Sequence, residues 1–229
     1  GGTHVGSCSE NPGRFTDDPH GRMTSVANKA HVEMLRAGVS SWNLWRAANR
    51  AVKPSLSGAD FTGANLADAH LEQANLTRAN LTRANLAGAN LTGANLAEAN
   101  LEQANLKAAS LARANLAEAN LETANLESAN LANAHLELAN LKGAGLTRAS
   151  FAEAHLEKAD FTGANLTEAN LDRANLSGAN FTGANLEKAS LIRADLGGAN
   201  LTRANLTEAH LEQANFVGVD LAEAILAGA

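Results

Sequence analysis

Tyrosine is missing from this 229-residue chain, and the remaining aromatics are few, six Phe and two Trp. That shortage excludes the usual interior of a globular enzyme of this length, which is filled with varied large side chains. Cysteine occurs once, at Cys8, so no intramolecular disulfide can form and a reducing compartment, the cytoplasm, is the expected location. Long apolar runs are lacking as well. No stretch approaches the ~20 residues needed to span a bilayer, and residues 1–25 hold no signal-peptide core. What is present instead is small and aliphatic. Hydrophobic residues make up 45% of the chain, and in its central part they are almost wholly Ala and Leu, accompanied by Asn. At this length one domain is expected, or one with a small appendage.

Three segments emerge along the chain. Residues 1–25 are rich in Gly, Ser, Pro and charge without periodicity, and read as a flexible arm. The chain opens on two glycines without an initiator methionine, and Met23 followed by Thr24 and Ser25 resembles a native start. Part of 1–22 therefore reads as foreign to the natural protein. Residues 26–53 are expected to hold an amphipathic helix and a connection, because Val32, Leu35, Val39, Trp42 and Trp45 recur three or four apart along one stripe. Pro54 ends that pattern.

From Leu56 to Leu226 every fifth residue is Leu or Phe, 35 positions in unbroken register, with Phe at 61, 151, 161, 181 and 216. Ala stands two places before each, except for Pro54 and Val219, and the residue between is usually Asn or Asp. A helix cannot use this pattern. At 100° per residue five residues advance 500°, so successive Leu side chains would step about 140° and leave no apolar face. In an extended segment positions two apart share a side, so Ala and Leu point inward together while the Asn position points out. A short extended stretch followed by a turn satisfies the period.

The run A(N/D)LXX over residues 55–227 resembles the pentapeptide-repeat family. That resemblance implies an all-β solenoid, a right-handed quadrilateral β-helix with four pentapeptides per coil and about nine coils over residues 54–229. It also implies a short N-terminal α-helical cap, to which Leu35, Val39, Trp42 and Trp45 would belong. The physics agrees: one pentapeptide buries too little to offset backbone ordering, whereas stacked coils share a continuous core. Ala suits its position because only a methyl fits beside converging Leu side chains, and Gly at sites such as Gly63 and Gly163 eases the turn. At the far end Phe216, Val217, Val219, Leu221, Ile225 and Leu226 place apolar residues where polar ones stood earlier. The resemblance implies homodimerisation through this coil, against the alternative that the coil simply frays.

Chemistry is sparse. No HExxH or Cys/His ligand spacing, no nucleophile with base and orienter, no phosphate loop and no loop insertion occurs, so the protein is read as no enzyme, and no catalytic, cofactor or metal residue is assigned. Asn-Leu-Thr sequons are by-products of the period. A coil of twenty residues should stack His135 on His155 about 5 Å apart, with Glu137 and Glu157 on the same face. Such a group could hold a divalent ion, or be two solvated histidines at a tolerant position where His70 and His210 also occur alone.

Charge is uneven. Residues 54–229 carry 20 acidic against 11 basic groups, and residues 1–53 carry 4 against 7. Folding by twenties brings Glu98, Glu118, Glu137 and Glu157 onto one face with Glu102 and Glu122 around the corner. This acidic ridge reads either as a protein-binding surface or as a soluble face that Lys142 and Lys158 partly neutralise. Acidic members of the family with the quinolone-resistance role mimic DNA and bind DNA gyrase or topoisomerase IV, and the resemblance implies such a partner here. Yet about nine coils span roughly 41 Å, over which B-DNA carries on the order of 24 charges. The repeat region has a net charge of −9. The alternative is a structural spacer or scaffold that binds an unknown protein partner unrelated to topoisomerases. Direct nucleic-acid binding is not expected, since the rod is acidic and Lys29, Arg36, Arg46, Arg50 and Lys53 are scattered. Membrane association has no support.

Overall fold

The backbone N–H groups of a single repeat explain the coil. In the unit around Leu76, the Leu76 N–H donates to Asn95 O in the next coil and Arg78 N–H to Ala97 O. The Ala79 N–H closes a turn onto Leu76 O, and Asn80 N–H donates back to Ala59 O in the preceding coil. The fifth donor, Thr77 N–H, is taken by the side-chain Oδ1 of Asn75. Every N–H of the unit is thus satisfied, which buried or half-buried backbone requires. Asn or Asp before the Leu has a structural task as the acceptor of an Asx turn.

The turn demands a residue with positive φ two places after each Leu or Phe. All 35 such residues adopt it, and 24 of them are not glycine, with φ between 54° and 62°. Their neighbours keep negative φ, the signature of a type II turn.

In the computed structural model, which describes residues 15–17 and 23–229, these units stack with a period of twenty. Parallel bridges join Ser55 to Asn75, and so on without interruption to Asn205 and Ile225. Twenty residues of five-residue units give four sides to each coil. Inside, the Leu and Ala columns of the interior coils are fully enclosed. Phe replaces Leu by stacking: the Phe161 and Phe181 rings lie 4.7 Å apart at 1°, and Phe151 meets Phe161 edge-on at 6.2 Å. The burial is continuous, so stability is shared among neighbouring coils.

The segment before the repeats holds two helices, α1 (Lys29–Ala37) and α2 (Val39–Ala48). The single helix expected from the apolar stripe is broken at Gly38, whose φ of 136° closes α1 and opens α2. Asn28 caps α1, its Oδ1 accepting from Ala30 N–H at 2.9 Å. Within the segment read as an arm, strands β1 (Phe15–Asp17) and β2 (Met23–Ser25) form an antiparallel pair, with Phe15 opposite Ser25. The reading of the remaining arm residues, Cys8, His4 and His20 among them, lies outside the described residues.

Candidate interaction surfaces

The helical segment meets the first coil through hydrogen bonds that a preceding coil would otherwise make. Asn28 N–H donates to Ser55 O, Arg36 to Asp60 O and the Trp42 Nε1–H to His70 O. Asn43 Oδ1 accepts from His70 N–H, as the Ala carbonyl of a preceding coil would, and its Nδ2 adds a bond to Asp68 O. Arg46 donates to Val52 O at 2.6 Å and to Glu72 O at 3.0 Å. His31 Nδ1 accepts from Ser55 N–H at 3.2 Å. Burial first, and then the nearby Arg46 charge, hold the His31 imidazole below its ordinary range, which suits an Nδ1 that accepts. Leu35 and Trp42 are fully enclosed and Val39 and Trp45 half-buried against the core, with the Trp rings 5.2 Å apart. The four expected on one helical stripe are divided between α1, which holds Leu35, and α2, which holds Val39, Trp42 and Trp45. Sequence reasoning missed Asn43, Arg36 and Arg46, whose polarity hid an edge-pairing role.

At the other end the inward positions lose their cover. Phe216, Val219 and Leu221 are half-buried, while Val217, Ile225 and Leu226 are exposed, Val217 to 76%. Leu44 and Leu138 are further exposed apolar side chains, away from this coil.

The six ridge carboxylates fall on adjoining sides of the coils, and most meet a local partner. Glu98 pairs with Arg78 at 2.9 Å. Glu122 accepts from Asn140 Nδ2 at 3.2 Å and Glu102 from Gln103 Nε2 at 3.4 Å. Glu157 accepts from Asn175, and Glu137 lies 3.0 Å from His135 Nδ1. Glu118 stands beside Glu137 in the next coil, its N–H donating to Glu137 O. Lys142, expected to offset the ridge, instead reaches Asp160 at 3.3 Å. Burial pushes the Asp160 carboxyl up, but the Thr162 hydroxyl and N–H together with Lys142 outweigh it and hold the group below its ordinary value. Elsewhere Glu127 is clasped by Lys107 at 2.8 Å and Arg148 at 2.8 Å, and those two bonds depress its pKa. Arg173 pairs with Glu153 and Arg203 with Glu223 across coils. The outer surface is therefore a mosaic of cross-coil pairs.

His135 and His155 stack as the period predicts, ring centroids 4.6 Å apart at an interplanar angle of 3°. All four histidines of the repeat region precede Leu-Glu: His70 with Glu72, His135 with Glu137, His155 with Glu157, and His210 with Glu212. A surface depression of about 580 Å³ is lined by Lys53, Gln73, Asn75, Thr92, Asn95 and Arg113, with neither histidine nor carboxylate among the described residues of its wall. No helix among the described residues is long and apolar enough to cross a membrane.

Such an arrangement, five-residue units closing a four-sided parallel coil with functional groups confined to its outside, defines a repeat solenoid. The chain belongs to the pentapeptide-repeat family, whose sequence profile, "Pentapeptide repeats", matches in eight copies between residues 55 and 229. Its solved relatives give the fold as a right-handed quadrilateral β-helix. HetL from the cyanobacterium Nostoc sp. strain PCC 7120, a pentapeptide repeat protein involved in heterocyst differentiation regulation, is 38% identical over 76% of this chain and 81% of its own, with a TM-score of 0.59. A second Nostoc PCC 7120 pentapeptide repeat protein, alr5209, is 43% identical over 33% of this chain and 62% of its own, at a TM-score of 0.33. QnrB1, a plasmid-mediated fluoroquinolone resistance protein, is 19% identical over 74% of this chain and 90% of its own, at a TM-score of 0.34. Comparison with curated protein sequences produced no match.

Proposed function

We propose that this chain is a non-enzymatic protein-interaction rod of the cytoplasm, about nine coils long, closed at its first coil by α1 and α2 and offering its flat outer sides to a protein partner. The observation that carries this reading is the pairing of surface charge. Carboxylates such as Glu98, Glu127 and Glu153 are each met by a cation from a neighbouring coil, so the sides are patterned rather than uniformly negative. A patterned surface supports recognition of one protein partner, since complementary charge fixes register and rejects wrong partners. HetL's regulatory role supports the same class of work.

DNA mimicry toward gyrase or topoisomerase IV is the second reading, favoured by the net charge of −9 on the repeat region and by the ridge from Glu98 to Glu157. Cross-coil pairing weakens it, because a mimic has to present charge that a basic channel can neutralise. A supercoiling assay with purified gyrase separates the two. We expect no inhibition and no quinolone protection at micromolar protein. Inhibition that disappears when Glu98, Glu102, Glu118 and Glu122 are replaced by Lys would establish the mimic instead.

Homodimerisation through the last coil is part of this proposal. Phe216, Val217, Val219, Leu221, Ile225 and Leu226 supply an apolar end that a second copy would cover. Sedimentation analysis should give a dimer that Ile225→Lys with Val217→Lys converts to monomer; a wild-type monomer at high concentration would remove this part.

A further inference from the structure

We propose that His135, Glu137 and His155 form a binding site for a divalent late first-row transition-metal ion, of which Zn²⁺ is the test case, bridging two adjacent coils on the outside of the rod. Among the described residues, these three present the converging ligand group, with one ligand atom each and all within 4.8 Å of one another. Two imidazoles and one carboxylate are the donor types that such ions take, whereas hard oxygen-seeking cations use carboxylate and carbonyl oxygens.

The backbone supplies the preorganisation. His135 and His155 are bridged in register, and Leu136 N–H donates to His155 O at 2.7 Å, so the two histidines start from fixed, parallel positions. His135 Nδ1 already lies 3.0 Å from Glu137 Oε1. Ligand atoms around a tetrahedral zinc with bonds of about 2.0–2.1 Å sit roughly 3.3 Å apart. The remaining adjustment is a tilt of the two rings toward each other, from a parallel stack at 4.6 Å. Both side chains are about half exposed, 50% and 47%, so their torsions can provide it. The fourth position faces solvent and would take water. Glu157 adds negative charge at the same place: its Oε1 is 3.9 Å from His155 Nδ1, and its Oε2 is buried without a hydrogen-bond partner.

The other two His-Leu-Glu units show why this place differs. His70 is bridged to Asn90 and His210 to Ser190, so each has a carboxylate two residues on but no second imidazole in the adjoining coil. One His-Leu-Glu unit makes a local ion pair; two in stacked coils make a ligand set.

The test is titration calorimetry of the full chain with Zn²⁺ in a non-chelating buffer, alongside the histidine side-chain NMR spectrum. His135→Asn with His155→Asn installs the residue most repeats carry at this position, and an unchanged circular dichroism spectrum and melting temperature would verify that the solenoid persists. The wild type should bind one more zinc per chain than this double variant, and the His135 and His155 resonances should shift together at that equivalent. His70→Asn with His210→Asn should leave the uptake unchanged, and Glu137→Gln should weaken it. Zinc held by other histidines or by Cys8 is common to the wild type and the His135/His155 variant and cancels between them. Equal uptake and affinity in the wild type and the His135/His155 variant, or shifts confined to other histidines, would overturn the proposal.

Discussion

Asn85 donates its Nδ2 to the Oδ1 of Asn65, twenty residues earlier, at 3.0 Å, and Asn105 repeats the bond to Asn85 one coil further on, also at 3.0 Å. The same Asn105 accepts Lys107 N–H at 3.2 Å. Each asparagine therefore holds its own turn and its neighbour's coil. Asn105→Ala should lower stability by about 0.5–1.5 kcal/mol, since the Lys107 N–H loses its acceptor and the amide hydrogen bond to Asn85 is lost. Asn105→Asp keeps that acceptor and loses only the donor, and should cost about half as much. Urea denaturation midpoints of the three proteins check the order.

The left-handed turn position predicts gains as well as losses. Leu138 holds φ of 61° with its apolar side chain 55% exposed. Leu138→Gly should raise stability by up to about 1 kcal/mol, because glycine meets no Cβ penalty there and the side chain removed is more exposed than buried. Gly88→Ala should act in reverse, by about 1–2 kcal/mol, as a Cβ there adds the left-handed penalty, while the exposed Asp68 carboxylate beside it is free to swing aside. Thermal melts of both variants measure the signs.

Core positions separate overpacking from cavity formation. Ala124 and Leu126 are neighbours two apart in the same unit, both fully enclosed. Ala124→Leu should destabilise by about 1–3 kcal/mol through steric displacement of the Leu column. Leu126→Ala should cost about 2–5 kcal/mol through a cavity. Hydrogen exchange should place both effects in the coils around residue 126, because each coil touches only its neighbours.

His31 makes the docking of α1 sensitive to pH. Its folded-state pKa is depressed by burial and by Arg46, so the folded protein binds this proton less readily than the unfolded chain. The stability it supports is therefore present above the ordinary histidine value near 6.5 and is lost as pH falls through the folded-state value. Urea midpoints should decline from pH 7 toward pH 5, and His31→Gln, which keeps an acceptor for Ser55 N–H, should flatten that slope. An identical slope in the variant would contradict the assignment.

The columns were legible because the repeat runs without insertion from Leu56 to Leu226, so period alone assigns inside and outside and a coil length of twenty assigns neighbours. His135 over His155 follows from counting. Helix breakage at Gly38 was less legible, because the apolar stripe continues across it and a glycine within a helical pattern does not by itself announce φ of 136°. Arg46 read as a scattered surface charge, yet it is 6% exposed and bonded to Val52 O and Glu72 O. Nothing local in sequence marks a carbonyl that lacks a partner until the first coil is formed.

The alternation of Ala and Leu with an outward Asn dictated an inward face and a turn every five residues, because side-chain direction along an extended backbone depends only on local geometry. Closure of the coil after four units decided the rest. It set which cation meets which carboxylate, turned Glu98 from ridge charge into a paired group, and laid one imidazole over another. Those meetings are between residues eighteen to twenty-one apart, and their energies depend on distances that exist only once the coils are stacked.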